Sequence, residues 1–190
     1  DSVWQISADG YPTYVIPDDN IDGIVGEVWD GKVATGYAGG SGTETDPYII
    51  ETARQLAYLI KHDVIDAVGS TYGKYYKLAA DIYLNNIQDA DWRTNNPNGW
   101  YEAASNQRFG GNFNGDGYTI YGLYYNGTKY AGLFPYIEMW FNDVTIENIV
   151  VSDAYLNTSA DSIGTFAATL YGGNGHELAF KNCFVDDNVY

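Results

Sequence analysis

Three short segments in the second half of the chain share one pattern, and this repetition restricts the possible folds more than any other feature. They occupy residues 119–125, 145–151 and 179–185, so their first residues lie 26 and 34 residues apart. Each segment has Gly or Asn at its fourth position and apolar residues on both sides of it. A second pair of segments, 131–134 and 163–166, has an offset of 32 residues. Such repeats are typical of the coils of a parallel β-helix, where Gly and Asn accept the left-handed backbone of the corners.

The repeats therefore predict a mainly β protein that folds as a right-handed parallel β-helix. In this arrangement the inward side chains of successive coils stack on one another. The two predicted inward stacks are Ile120, Ile146 and Phe180, and Leu123, Ile149 and Cys183. An antiparallel β-sandwich is the alternative, because two or three short repeats are also compatible with successive hairpin strands.

One helix is predicted near residues 52–66, ahead of the repeats. Thr52 and Gln55 have the spacing of a capping box, in which each side chain bonds the other residue's backbone. The apolar residues that follow have helical spacing and are Ala53, Leu56, Ala57, Ile60 and Val64. Because an open solenoid end would expose apolar side chains and strand edges, this helix is predicted to cap the N-terminal end of the stack.

The first 25 residues are predicted to be the end of a preceding module or a linker strand pair, and residues 26–190 a single β-helical module. A turn at Asp9 and Gly10 separates two strand-like stretches, and Pro12 favours an edge strand. The acidic stretch that follows is turn-rich. It is the predicted connector to the module.

Three residues of this connector, Asp18, Asn20 and Asp22, match the first half of a calcium-binding loop. The twelfth position of such a loop requires an acidic residue, and Trp29 stands there. Calcium is therefore a weak candidate, and no other cofactor or metal is expected.

Charge and composition exclude several classes of partner. The chain has 9 Lys and Arg against 25 Asp and Glu, a formal net charge of -16, which would repel nucleic acid and anionic membrane surfaces. No apolar run approaches the ~20 residues of a membrane span. The single cysteine, Cys183, excludes an intramolecular disulfide and is predicted to be a small buried residue.

Four stretches occur in the same order as in the GLUG-repeat surface proteins of bacteria, which the chain resembles over residues 29–155. They are the glycine-rich run 29–50, KLAADIYL at 77–84, FNGDGYTIYGL at 113–123 and AGLF at 131–134. The resemblance implies β-helical repeats within a long chain of neighbouring modules. It also implies a secreted or cell-surface protein, often of gut bacteria, and it implies no reaction.

Residues 91–108 depart from that resemblance and form the predicted binding loop. Sites for neutral sugars need flat aromatic faces for the rings and polar side chains for the hydroxyls, and both occur here and in the tyrosines that follow. The predicted carbohydrate-binding residues are Trp92, Arg93, Asn95, Asn96, Trp100, Tyr101, Arg108, Tyr124, Tyr125 and Tyr130. Tyr121 and Tyr125 are predicted to share one outer face. In the alternative interpretation the tryptophans point inward and anchor the loop, while the asparagines make turns.

Catalysis is not expected. His62 and His176 lack a neighbouring nucleophile motif. The acidic residues Asp89, Asp91 and Glu102 have no distinctive spacing. The sequence thus predicts a non-catalytic carbohydrate-binding module of an exported bacterial surface protein, with a polysaccharide or glycan as its partner. The alternative is a structural or adhesive β-helical spacer that contacts host or partner proteins and has no glycan site.

Overall fold

The computed structural model describes the backbone of residues 3–6 and 12–15, and all of residues 26–186. Strands β1 (Val3–Ile6) and β2 (Pro12–Val15) form an antiparallel pair. The calcium candidates Asp18, Asn20 and Asp22 lie outside the described residues, so calcium binding stays a prediction.

Short strands are the main regular structure of residues 26–186, which also contain one short helix. The helix α1 (Ala53–Tyr58) continues as a π-helical segment, Leu59–Asp66. The strands are β3 (Tyr48–Ile50), β4 (Tyr75–Leu78), β5 (Ile82–Tyr83), β6 (Asn112–Asn114), β7 (Thr119–Tyr121), β8 (Tyr124–Gly127), β9 (Phe134–Met139), β10 (Val144–Ser152), β11 (Tyr155–Thr158), β12 (Ala167–Gly172) and β13 (Leu178–Val185).

These strands form a β-solenoid of about three turns. In its first column β3, β4, β6, β10 and β13 stack in that order, and every neighbouring pair is parallel. The parallel pairs β5–β7, β8–β11 and β9–β12 form the other columns, and β7 also pairs with the C-terminal part of β10. The predicted parallel β-helical fold is confirmed, and the antiparallel sandwich is wrong.

Half of the predicted repeat alignment is correct. Thr145 pairs with Ala179 and Ile146 with Phe180, as predicted. Thr119, however, pairs with Val150 and not with Thr145. The reason is that β10 continues around a corner at Asn148, where φ is 52°, so β7 lies beside its second half. Gly122, with φ 72°, belongs to the next corner.

The capping box of the helix is confirmed. The Gln55 amide N–H donates to Thr52 Oγ1 at 3.3 Å, and the Thr52 amide N–H donates to Gln55 Oε1 at 3.2 Å. The helix occupies the predicted range, but its second half is π-helical. It follows the first strand of the stack, and its apolar side chains Leu56, Leu59 and Ile60 are fully buried in the solenoid core.

Candidate functional site

Residues 91–108 form part of the wall of the first coil. The amide of Trp100 donates to the carbonyl of Tyr124 in β8 at 2.7 Å, and the amide of Phe109 donates to the carbonyl of Tyr136 in β9 at 3.0 Å. Phe109 also forms a parallel bridge with Ile137. This segment therefore occupies, in the first coil, the place that β8 and β9 occupy in the next.

Both tryptophans of this segment are buried. Trp100 is 5% exposed, donates its indole N–H to the Leu133 carbonyl at 3.0 Å and packs edge-on against Trp29. Trp92 is 6% exposed and packs against the ring of Tyr124, while the Arg93 guanidinium lies 5.3 Å from its ring centroid. The two indoles anchor the segment, as in the alternative interpretation, and neither presents an open face to a ligand.

Tyr101 belongs to the same inward cluster. Its ring lies 5.9 Å from that of Trp29 and 5.4 Å from that of Trp100. Burial, with a further contribution from the negative charge of Asp66, raises the pKa of Tyr101 to about 12. Its hydroxyl therefore stays protonated at physiological pH.

The asparagines of the segment shape its backbone. Asn95 donates its side-chain amide to Asp89 Oδ2 at 2.8 Å, and this hydrogen bond is the main reason that the pKa of Asp89 is lowered. Asn96 has the left-handed φ of 53°. The buried Asn85 donates to the Gly122 carbonyl at 2.8 Å and accepts from the Asn98 amide at 2.7 Å, tying the segment to a corner of the next coil. Sequence reasoning missed Asn85, because a single Asn after a strand carries no distinguishing signal.

The tyrosines of β7 and β8 do not form the predicted common surface. Tyr125 is 5% exposed, and its hydroxyl donates to Glu102 Oε2 at 3.1 Å. Tyr121 lies on the other side of the Gly122 corner and stacks on Tyr83. The prediction that Tyr121 and Tyr125 share an outer face is therefore wrong, because the corner interrupts the alternation of a single strand.

Tyr124 and Tyr130 are half-buried, and each pairs with one other tyrosine. Tyr124 stacks on Tyr155 of the next coil with ring centroids 5.2 Å apart. Tyr130 packs edge-on against Tyr136, also at 5.2 Å. The Tyr124–Tyr155 pair follows the direction of coil stacking, because Tyr124 and Tyr155 are register partners on neighbouring strands, whereas Tyr130 and Tyr136 belong to the same coil.

Arg108 lies apart from the buried tryptophans, in a cluster with an exposed aromatic group. Its Nη1 is 2.9 Å from Oε1 of the buried Glu138, and its guanidinium carbon is 3.8 Å from the ring centroid of Tyr171. Tyr171 stacks on Trp140 at 5.7 Å, and Trp140 is 37% exposed. The last coil creates this aromatic group, which pairs residues far apart in sequence.

A groove runs over the outer face of the first strand column. It has a volume of about 570 Å³, within the range of ligand sites. It is lined by Glu44, Pro47, Tyr75, Lys77, Asn112, Asn114, Asp143, Thr145, Glu147 and Lys181, and its floor also touches the core residues Tyr76 and Phe113. Because the strands are parallel and in register, side chains at paired positions of successive coils form rows across the groove. The row Lys77, Asn114, Glu147 and Lys181 comes from four neighbouring strands.

Hydrogen bonds between coils hold the groove's central side chains. Asn114 Nδ2 donates to Glu147 Oε1 at 3.0 Å, and the Thr145 amide donates to Asn112 Oδ1 at 2.9 Å. At the groove's edge Asn182 donates to Asn148 at 2.9 Å, and Asn148 donates to Asn114 at 3.2 Å. The walls of the groove are thus preorganised by contacts between coils.

Beyond the last coil, no described residue covers the end of the solenoid core. Tyr76, Phe113, Ile146 and Phe180 occupy one inward column of successive strands. The first three are at most 1% exposed, whereas Phe180 is 43% exposed. A second inward column consists of Ile82, Ile120, Val151 and Val185. Here too the residue of the last strand is the exposed one, because Val185 is 43% exposed while the other three are buried.

The same end contains Cys183, which was predicted to be a small buried residue. It is only half-buried, because no described residue covers the outer side of β13. Partial burial raises the pKa of its thiol. The thiol donates to the Ile146 carbonyl at 3.3 Å.

Two further features concern residues 26–186 together with the two N-terminal strands. No helix there is long and apolar enough to cross a membrane. That part of the chain also holds no group of three or more His, Cys, Asp and Glu side chains arranged to bind a metal ion.

Two curated proteins are similar to this chain. One is a Gly-rich membrane protein of Evansella cellulosilytica, 32% identical over 141 residues, which are 72% of this chain and 15% of that protein. The other is the halomucin of Haloquadratum walsbyi, 28% identical over 149 residues, which are 74% of this chain and 2% of that protein. The chain therefore spans a small part of each relative.

Two other comparisons give no match. No protein-family model matches the chain, so its resemblance to the GLUG-repeat proteins stays a prediction. No solved structure matches it either.

Proposed function

We propose that the chain is a structural β-solenoid segment of a longer surface protein, which is the spacer role of the predicted alternative without its exclusion of a glycan site. The observation that carries this proposal is the uncovered C-terminal end of the core columns. The tryptophans on which a carbohydrate platform in residues 91–108 would depend are buried, which removes the main support for a glycan site at that place.

The uncovered end has the chemistry of an interface between coils. Phe180, Phe184 and Val185 are exposed by 43% to 62%, although Phe180 and Val185 continue columns that are fully buried in the preceding coils. Full burial of such a side chain contributes about 1.5–3 kcal/mol. The outer edge of β13 also lacks a strand partner among the described residues. A further coil with apolar inward residues would bury these side chains, and its strand would pair with the open edge of β13.

We assign this further coil to the same polypeptide. The curated relatives are much longer than this chain, which covers 15% and 2% of their lengths. In a repeat protein each coil contacts mainly its neighbours, so coils can be added without change to the earlier ones. The segment would then act as a rigid spacer.

A cell-surface location is part of the proposal. Its support is the names of the relatives, a membrane protein and a halomucin, together with the GLUG resemblance over residues 29–155. Immunolabelling of intact cells of the source organism, with permeabilised cells as the control, tests it. Label that appears only after permeabilisation would contradict a surface location.

The stacking proposal is tested by hydrogen exchange on two proteins. One is the present chain, and the other is the same chain followed by the residues encoded directly downstream in its gene. We expect the amides of β13 to exchange faster in the present chain and to become protected in the longer one, while those of β6 are protected in both. A stop codon after Tyr190, or unchanged exchange of β13, would overturn the proposal. A concentration-dependent dimer that protects β13 would assign the end to a second copy instead.

A further inference from the structure

We propose that the groove on the first strand column binds an extended, uncharged polysaccharide lying across the strands. This inference goes beyond the spacer function and does not depend on it, because the groove lies on a lateral face and not at the uncovered end. It also differs from the predicted site in residues 91–108, since none of those residues lines the groove.

Polar groups in the groove are available to a ligand. The Tyr75 hydroxyl, the Thr145 hydroxyl and the Lys181 ammonium line it, and none of them bonds another side chain or a carbonyl within residues 26–186. The hydroxyls can donate and accept, and the ammonium can donate three hydrogen bonds. The ring of Tyr75 adds an apolar surface. This combination suits the hydroxyls and C–H faces of a sugar.

The charge of the groove disfavours an anionic ligand. Its carboxylates, Glu44, Asp143 and Glu147, outnumber its cations, Lys77 and Lys181. Lys77 is also neutralised by Asp116, whose Oδ2 is 2.9 Å from its Nζ. An anionic polymer would be repelled by this excess of carboxylates and by the chain's net charge of -16. The neutral hydroxyls of a sugar can donate hydrogen bonds to the groove's carboxylates without this repulsion.

The repetition of the groove favours a polymer over a small molecule. Five parallel strands form this column, and at a spacing of about 4.8 Å they span about 19 Å. Side chains at corresponding positions of successive coils therefore recur along the stacking axis. A ligand that repeats along its own length can make similar contacts with each coil, so its affinity grows with the number of units bound.

The test is affinity electrophoresis of the chain in gels containing starch, xylan or mixed-linkage β-glucan, with a polyuronate gel to test anionic polymers. One groove variant is Tyr75→Ala with Lys181→Ala, which removes two unbonded groups. A second, Thr145→Arg, fills the groove with a long side chain. Tyr155→Ala, on the outer face of another column, is the matched control. Thermal unfolding followed by circular dichroism verifies that each variant folds.

We expect retardation in at least one neutral gel, about tenfold weaker binding by each folded groove variant and no change for Tyr155→Ala. Retardation that both folded groove variants retain would overturn the site. If Trp140→Ala lost binding while both groove variants kept it, the binding site would lie at the exposed aromatic group around Arg108 and the groove would be ruled out. Retardation only in the polyuronate gel would contradict the proposal that the ligand is uncharged. No retardation in any gel, with a glycan array of neutral polysaccharides also silent, would overturn the inference altogether.

Discussion

The indole of Trp100 is held in place by apolar ring contacts and by a hydrogen bond from its N–H group. Its ring packs against Trp29 and Tyr101, and its N–H donates to the Leu133 carbonyl at 3.0 Å inside the core. A buried indole without that acceptor would carry an unsatisfied donor, which costs about 1–3 kcal/mol. The residue therefore joins the wall of the first coil to the next coil through one specific bond and a large apolar contact.

Replacement of Trp100 by alanine is expected to lower the free energy of unfolding by about 3–5 kcal/mol, because it empties a large core volume. Trp100→Phe keeps most of the apolar contact and loses the hydrogen bond, so its expected loss is smaller, about 1–3 kcal/mol. Trp140→Ala, at a partly exposed position, is the control, with an expected loss well below that of Trp100→Ala. Urea denaturation measures all three. Equal losses for Trp100→Ala and Trp140→Ala would contradict the anchoring role.

At the scale of elements, the predictable features are those with local signals. The capping box of Thr52 and Gln55 depends on a spacing of three residues, and the structure forms it as predicted. The π-helical turn of Leu59–Asp66 has the same apolar pattern as an α-helix, so the sequence could not distinguish the two. The position of β7 beside Val150 depends on where the chain bends at Asn148. A Gly or Asn in the sequence does not show to which corner it belongs.

Successive coils approach each other closely at Gly115. A Cβ there would lie 2.5 Å from the Asn148 carbonyl oxygen and 2.6 Å from Ile149 Cβ. Gly115→Ala should therefore push β6 and β10 apart and lower the free energy of unfolding by about 1–3 kcal/mol. Gly99→Ala is the matched control, because a Cβ at that position meets nothing within 4 Å. Thermal unfolding compares the two variants, and an equal effect of both would argue against close coil contact at Gly115.

At the scale of the whole molecule, the apolar columns determine the architecture. The stack of Phe113, Ile146 and Phe180 has offsets of 33 and 34 residues. Only the second offset, from Ile146 to Phe180, belongs to the repeat that predicts the solenoid, and Phe113 stands in the column where the sequence places Ile120. The groove was not predictable. It is formed by outward residues of four neighbouring strands, whose alignment depends on the true register and on coils of unequal length. The binding loop predicted at residues 91–108 depends on composition, and composition does not show whether an indole points inward or outward.

The same stacking places several tyrosine hydroxyls in or near the core and predicts a loss of stability in alkali. Burial raises the pKa of Tyr72 and Tyr101 to about 12, against an ordinary value of 10.0, and it also raises those of Tyr37 and Tyr76. Below pH 10 both the folded and the unfolded chain keep these hydroxyls protonated, so they contribute no pH dependence there. Between pH 10 and about 12 the unfolded chain loses their protons first, which favours unfolding.

We therefore expect the free energy of unfolding to be insensitive to these groups up to about pH 10 and to fall steadily as the pH rises toward 12. Urea denaturation across this range measures the fall, and ultraviolet absorbance of tyrosinate under native conditions follows ionisation. Tyr101→Phe cannot ionise at this position, so its stability should fall less steeply with pH than that of the unchanged chain. If all tyrosines ionised near pH 10 without unfolding, the hydroxyls would have to be in contact with solvent, and the inward position of Tyr101 and Tyr76 would be contradicted.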